Sequence, residues 1–156
     1  MDLDVVLKKM RRYCAYRERS HKEVRSKLID LKVYGINLER VMAQLIEEDF
    51  LNELRYAQSY VSGKFRINKW GKRKILNGLK SQFISPYCIR KAMLEIDDSE
   101  YIDTLYQLLS KKMRQYDKED QFVAKNKLIK YATGRGYSYE VIKEQLDRLM
   151  KNLGNE

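Results

Sequence analysis

The sequence predicts an all-α fold built as three tandem three-helix repeats, helix-turn-helix-like units that make nine helices in all. Three observations predict it. Apolar residues recur at the spacing of a single helix face almost throughout the chain. One proline and seven glycines in 156 residues leave too few turn-makers for a many-stranded β fold. The apolar pattern also resembles itself along the chain.

The elements follow in order. Leu3, Val6, Leu7, Met10 and Cys14 make the first stripe. Ser20-His21-Lys22-Glu23 reads as a capping box, with Glu23 reaching back to the Ser20 amide. It opens a helix striped by Val24, Leu28 and Leu31, and a third stripe, Val41 and Leu45, fades at Asp49. Asn52 caps the helix of Leu54, Ala57, Val61 and Phe65, and another helix starts near Gly71. Ser85-Pro86 sets a cap residue before a proline at the first helical position. Ile102, Leu105, Leu109 and Met113 mark a later helix, and Ser138 caps the last one.

The self-similarity aligns Leu28, Leu31, Gly35, Val41 and Leu45 with Leu76, Leu79, Phe83, Ile89 and Met93, then with Ile129, Ala132, Gly136, Ile142 and Leu146. Asn37, Ser85 and Ser138 share the cap position, and the steps are 48 and 53 residues. The units are therefore expected at 1–50, 51–97 and 98–156, each packing on its neighbours because three short helices have a marginal core. Leu28, Leu76 and Ile129 are expected in that core. Gly35 and Gly136 suit a left-handed turn after the second helix, and Phe83 in the same slot marks the middle turn as different.

No catalytic, cofactor or metal site is expected. The single histidine, His21, reads as exposed, and Cys14 and Cys88 lack metal-ligand spacing and read as buried thiols of a reducing cytoplasm. Gly134-Arg135-Gly136 lacks the Lys-Ser/Thr ending and the preceding strand of a phosphate loop. Glu47-Glu48-Asp49 reads as solvated acid near a helix start, and the twelve tyrosines as half-buried. The acidic Met1-Asp2-Leu3-Asp4 has no apolar run behind it, so no signal peptide is expected, and no stretch approaches the roughly 20 apolar residues of a membrane span. The chain reads as a cytoplasmic binder, monomeric and without enzymatic activity.

Charge points to the partner. From Leu54 to Leu94 there is no acidic residue and there are ten basic ones: Arg55, Lys64, Arg66, Lys69, Lys72, Arg73, Lys74, Lys80, Arg90 and Lys91. The three expected units carry +2, +7 and +1 of the net +10. Charge this local suits a polyanion, either nucleic acid or an acidic protein surface attached to it. Lys64 to Lys74 is the densest stretch, interrupted by Phe65 and Trp70. Trp70 reads either as packing between helices or as part of the binding surface. Without nearby acids these charges have no local ion-pair partners, and the helix start near Gly71 suits a phosphate.

These residues resemble the RecX family, bacterial modulators of the RecA recombinase. Arg17-Glu18-Arg19-Ser20-His21-Lys22-Glu23-Val24-Arg25-Ser26-Lys27-Leu28 is similar to the first-repeat pattern R-E-x-S-x-x-E-L-x-x-K-L, with valine at Val24. Asp49-Phe50-Leu51-Asn52-Glu53-Leu54-Arg55-Tyr56-Ala57 resembles the second-repeat opening, with Asp49 where glycine is usual and Glu53 for aspartate. Trp70-Gly71-Lys72-Arg73-Lys74-Ile75 looks like the family's basic stretch, and Arg135-Gly136-Tyr137 like its third-repeat turn. The resemblance implies an elongated, curved array that binds the groove of the RecA filament on single-stranded DNA. It implies lowered strand exchange, ATP hydrolysis and co-protease activity, by occupancy alone. Two other readings fit the same charges: a sequence-tolerant DNA-binding protein or helix-turn-helix regulator without a recombinase partner, and a scaffold that docks an acidic protein.

Overall fold

The computed structural model describes residues 2–154. Among them are nine α-helices and no strand: α1 (Leu3–Tyr16), α2 (His21–Asp30), α3 (Gly35–Glu47), α4 (Glu53–Arg66), α5 (Lys72–Ser81), α6 (Pro86–Met93), α7 (Asp98–Met113), α8 (Gln121–Gly134) and α9 (Tyr139–Gly154), with a 3-10 turn at Arg114–Tyr116. Side-chain caps set several starts. The Asp2, Asn52 and Asp97 carboxylate or amide oxygens accept from the Asp4, Arg55 and Glu100 amides at the heads of α1, α4 and α7. Ser20 and Glu23 form the expected capping box on α2, and Ser85 Oγ accepts from the Cys88 amide on α6.

The second helix of each three-helix group ends in the same Schellman turn. Val33, Ile84 and Tyr137 donate to the carbonyls of Leu28, Leu79 and Ala132, while Lys32, Phe83 and Gly136 donate to Ile29, Lys80 and Thr133. The left-handed residue is Lys32 (φ 64°), Phe83 (φ 56°) and Gly136 (φ 103°). The residue after it is buried each time. These bonds superimpose Leu28, Leu79 and Ala132, steps of 51 and 53 residues.

The first copy in the sequence alignment is therefore slipped by three positions. Lys32 takes the left-handed place in the Schellman turn, and Gly35, left-handed as expected at φ 58°, lies three residues further on. Gly35 begins α3, whose N-cap is Tyr34, and Asn37 lies inside that helix. The aligned core positions are Val24, Ile75 and Leu128, all 0% exposed. Leu76 and Ile129 are only half-buried, so of the three expected core residues Leu28 alone is fully buried. A slip of three residues turns a helix by nearly a full revolution, so the apolar stripes still overlap.

By packing, the chain divides into two compact units. One comprises the residues up to Tyr60 together with Gly78–Ala92; the other comprises Val61–Asn77 together with the residues from Met93 on. In the first, α3 packs on α1 and α2 over Val6, Met10, Val24, Leu28, Val41 and Leu45. In the second, α7, α8 and α9 pack on one another. Each unit also contains one joint of the same design. In the first, Ser20 Oγ donates to Gln82 Oε1 (2.7 Å) and Lys22 Nζ to the Ser81 carbonyl (2.9 Å). In the second, the Gly71 amide donates to the Arg135 carbonyl (2.7 Å) and the Arg73 guanidinium to the Thr133 carbonyl (3.0 Å). The start of a second helix thus seats on the Schellman turn of the following group.

The second joint is the tighter. A Cβ on Gly71 would fall on the Gly136 carbonyl group and the Tyr137 nitrogen, and a Cβ on Gly136 would lie 2.7 Å from the Lys74 nitrogen. Gly71→Ala should therefore cost roughly 1–3 kcal/mol, the range for forcing a methyl into packed structure. Gly63, inside α4 with nothing within 4 Å of its missing Cβ, is the control: Gly63→Ala should gain about 0.5–1 kcal/mol. Urea unfolding of the two variants checks both signs.

His21, expected on the surface, is half-buried beside the first joint. Burial lowers its pKa from the ordinary 6.5; Glu53 opposes the shift and Arg25 adds to it. The folded protein then holds this proton less tightly than the unfolded chain. Stability should be flat with respect to His21 above the ordinary 6.5 and fall as the pH drops below it. Urea midpoints from about pH 7.5 to 5.5 should drop in the parent and drop less in His21→Gln.

Candidate nucleic-acid interface

Seven of the eleven basic and aromatic residues singled out above lie in the second compact unit: Lys64, Arg66, Lys69, Trp70, Lys72, Arg73 and Lys74. Arg55, Lys80, Arg90 and Lys91 lie in the first. What brings part of the set together is the end of α4 and the start of α5. The Trp70 amide donates to the Lys64 carbonyl (3.1 Å), so the link between the helices turns back on α4. Two ammonium groups then approach the Trp70 ring, Lys64 Nζ at 4.8 Å and Lys74 Nζ at 4.6 Å from its centroid. The half-exposed ring thus gathers two cations around one aromatic group. Lys69 is exposed beside it, at φ 59°.

The helix start does not offer the phosphate site that the sequence suggested. Three of its amides are already used. Gly71 donates to the Arg135 carbonyl (2.7 Å), Lys72 to the Tyr101 hydroxyl (2.9 Å) and Arg73 to the Gly136 carbonyl (3.1 Å). Tyr101 and Tyr137 stack at 5.1 Å, Phe65 lies 5.9 Å from Tyr101, and Tyr137 Oη donates to the Lys69 carbonyl (2.9 Å). Burial pushes both phenols up; the Lys72 amide opposes this at Tyr101, and at Tyr137 the neighbouring Tyr101 adds to it. They therefore stay protonated, and Tyr137 keeps its donor. Arg135 also donates to the Asn68 carbonyl, while its Nε is buried without a partner. Arg135, Tyr101 and Tyr137 were missed as site-building residues; the Arg-Gly-Tyr turn was their visible signal.

Several charges do have acid partners, supplied from outside the acid-free stretch. Arg55 pairs with Glu18 (2.6 Å) and Asp49 (3.1 Å), and the Glu18 hydrogen bond raises its pKa first. Arg66 pairs with Glu100 at 3.7 Å and Lys72 with Asp98 at 3.3 Å. Lys91 rests 5.7 Å from the Tyr87 ring, and Lys80 and Arg90 are exposed. Asp49 and Glu48 are tied as well, Glu48 by Arg11 and Gln44, which hold its carboxyl down to about 2. Cys14 and Cys88 are buried free thiols. Among the described residues no group of three or more His, Cys, Asp or Glu stands together to hold a metal, and no helix is long and apolar enough to cross a membrane.

The fold and this segment define an all-helical tandem three-helix protein with a cationic link seated on its third group. Comparison with known proteins carries that further. The model of the second three-helix domain of RecX matches residues 52–93, and that of the third matches 98–146. The Regulatory protein RecX of Clostridium acetobutylicum is 34% identical over 135 residues, 84% of this chain and 62% of that protein. That of Leuconostoc mesenteroides is 27% identical over 86% of this chain and 51% of its own length. A crystal structure of RecX from Lactobacillus salivarius shares the fold, with a TM-score of 0.85 and 23% identity over 94% of this chain and 96% of that one. The chain belongs to the RecX family. It spans between about half and two thirds of the length of the relatives it matches.

Proposed function

We propose that this protein is a cytoplasmic, monomeric regulator of a RecA-type recombinase. It binds the recombinase filament on single-stranded DNA and lowers strand exchange, ATP hydrolysis and co-protease activity by occupying the filament, without making or breaking a bond. Membership of a family of regulatory proteins carries the reading. The Lys64–Trp70–Lys74 cluster supports it as the contact to filament or DNA, with Lys69 beside it. Lys80, Arg90 and Lys91 supply further charge, while Arg55, Arg66, Lys72 and Arg73 serve more in ion pairs and in the joint.

Two expected outcomes test this. Rising amounts of the protein should lower the DNA-dependent ATPase of a recombinase filament to a plateau set by its ratio to recombinase. An unchanged ATPase at saturating protein rejects the regulator reading and leaves a DNA-binding or scaffold protein. Lys69→Ala with Lys74→Ala should flatten the slope of log affinity against log salt by about 1.4 on single strands, at about 0.7 per phosphate contact. Lys72→Ala should change that slope less, because Asp98 already faces its ammonium.

A further inference from the structure

The first compact unit carries a basic pocket that the charge count along the sequence hides. It encloses ≈ 470 Å³ and is lined by Lys9, Arg12, Tyr13, Tyr16, Arg19 and Lys27, with Leu31 beneath. Lys9, Arg12, Tyr13 and Tyr16 fall at i, i+3, i+4 and i+7 of α1, so they share a face. Lys27 comes from α2 and Arg19 from the link between the helices. The Arg19 guanidinium lies 3.7 Å over the Tyr13 ring, donates to the Tyr13 carbonyl (2.9 Å) and stands 3.8 Å from Glu23. With its side chain only 10% exposed, it is a fixed wall. Lys27 Nζ approaches the same ring at 5.7 Å.

No carboxylate lines this pocket. The +2 of residues 1–50 conceals it because five of the nine acids in that stretch are ion-paired and none of the nine lines the pocket. Glu48 is held by Arg11, Glu39 by Arg25, Glu18 by Arg55, and Glu23 by Arg17 and the Ser20 amide. Lys9, Arg12 and Lys27 have no acid partner among the described residues. Beside them Tyr16 is 84% exposed, with the Arg19 guanidinium 5.9 Å from its ring. Three uncompensated cations around an open aromatic face match a strand that offers phosphates and unstacked bases in alternation.

We propose that this pocket binds single-stranded nucleic acid directly, with one base stacked on Tyr16 and the adjoining phosphates on Lys9, Arg12 and Lys27. The contact goes beyond the recombinase reading and stands without it, since its test contains no recombinase. That test is fluorescence anisotropy of the full chain with a labelled oligothymidine at several salt concentrations. Tyr16→Ala should weaken binding roughly 5- to 150-fold, the span of one base–aromatic stack. Tyr16→Phe should bind like the parent. Lys9→Ala, Arg12→Ala and Lys27→Ala together should reduce the log–log salt slope by about 2. A 5-bromouracil oligonucleotide should cross-link to Tyr13 or Tyr16. All four substituted side chains are exposed, and circular dichroism verifies that the variants are folded. Parent-like binding by the folded variants overturns the proposal. Loss in the triple variant with none in Tyr16→Ala also overturns it, because charge would then act without a stacked base. Displacement of the oligonucleotide by inorganic phosphate at constant ionic strength would reveal a plain anion site and overturn it too.

Discussion

The contact on which the second compact unit depends is the seating of one helix start on a Schellman turn. The Gly71 amide meets the Arg135 carbonyl, the Arg73 amide meets the Gly136 carbonyl, and the two glycines approach so closely that neither tolerates a Cβ. A helix start has orphan donors and a Schellman turn has outward carbonyls, so each supplies what the other lacks. The first unit uses the same solution with side chains, Ser20 on Gln82 and Lys22 on the Ser81 carbonyl. Because each joint links one three-helix group to the next, the compact units are centred on joints. The middle group is accordingly shared between them, α4 dividing after Tyr60 and α5 after Asn77.

This joint decides which charges remain for a partner. A segment with ten cations and no acid looks like one continuous patch when read along the chain. Folding sorts it. Arg55 is tied to Glu18 and Asp49, Arg73 reaches the Thr133 carbonyl, and Lys72 faces Asp98. Lys64 and Lys74 instead lie close to the Trp70 ring, and Lys74 has no acid partner among the described residues. The same sorting works in reverse in the first unit. There a nearly balanced stretch leaves Lys9, Arg12 and Lys27 without an ion pair among the described residues, while five of its nine acids pair with other arginines. Net charge per segment is a poor guide where long-range ion pairs redistribute it.

Much of the architecture was legible from the sequence. Helical periodicity, the Ser20–Glu23 capping box, and the Asn52 and Ser85 caps all stand in the structure as read. The repeat was visible too, but its first register was not, because Lys32 occupies a left-handed position that glycine usually marks and Gly35 stands three residues beyond. The middle turn keeps the same geometry as the others with Phe83 at φ 56° and 78% exposed. Asp49, also left-handed at φ 62°, shows why that position resembles a glycine site. The candidate site was less legible. The sequence shows where cations are dense, but not which carbonyls close the head of α5 or which acids arrive from elsewhere. Those are tertiary facts with no local signature.

The central claim is that the chain itself closes the head of α5, so exposed side chains and not helix-start amides are left to meet an anion. Amide hydrogen exchange of the free protein, resolved by residue, tests it most directly. The account predicts slow exchange at Gly71, Lys72 and Arg73, unchanged by inorganic phosphate or a single-stranded oligonucleotide. Exchange at the unprotected rate in the free protein, with protection gained only on adding phosphate, would contradict it.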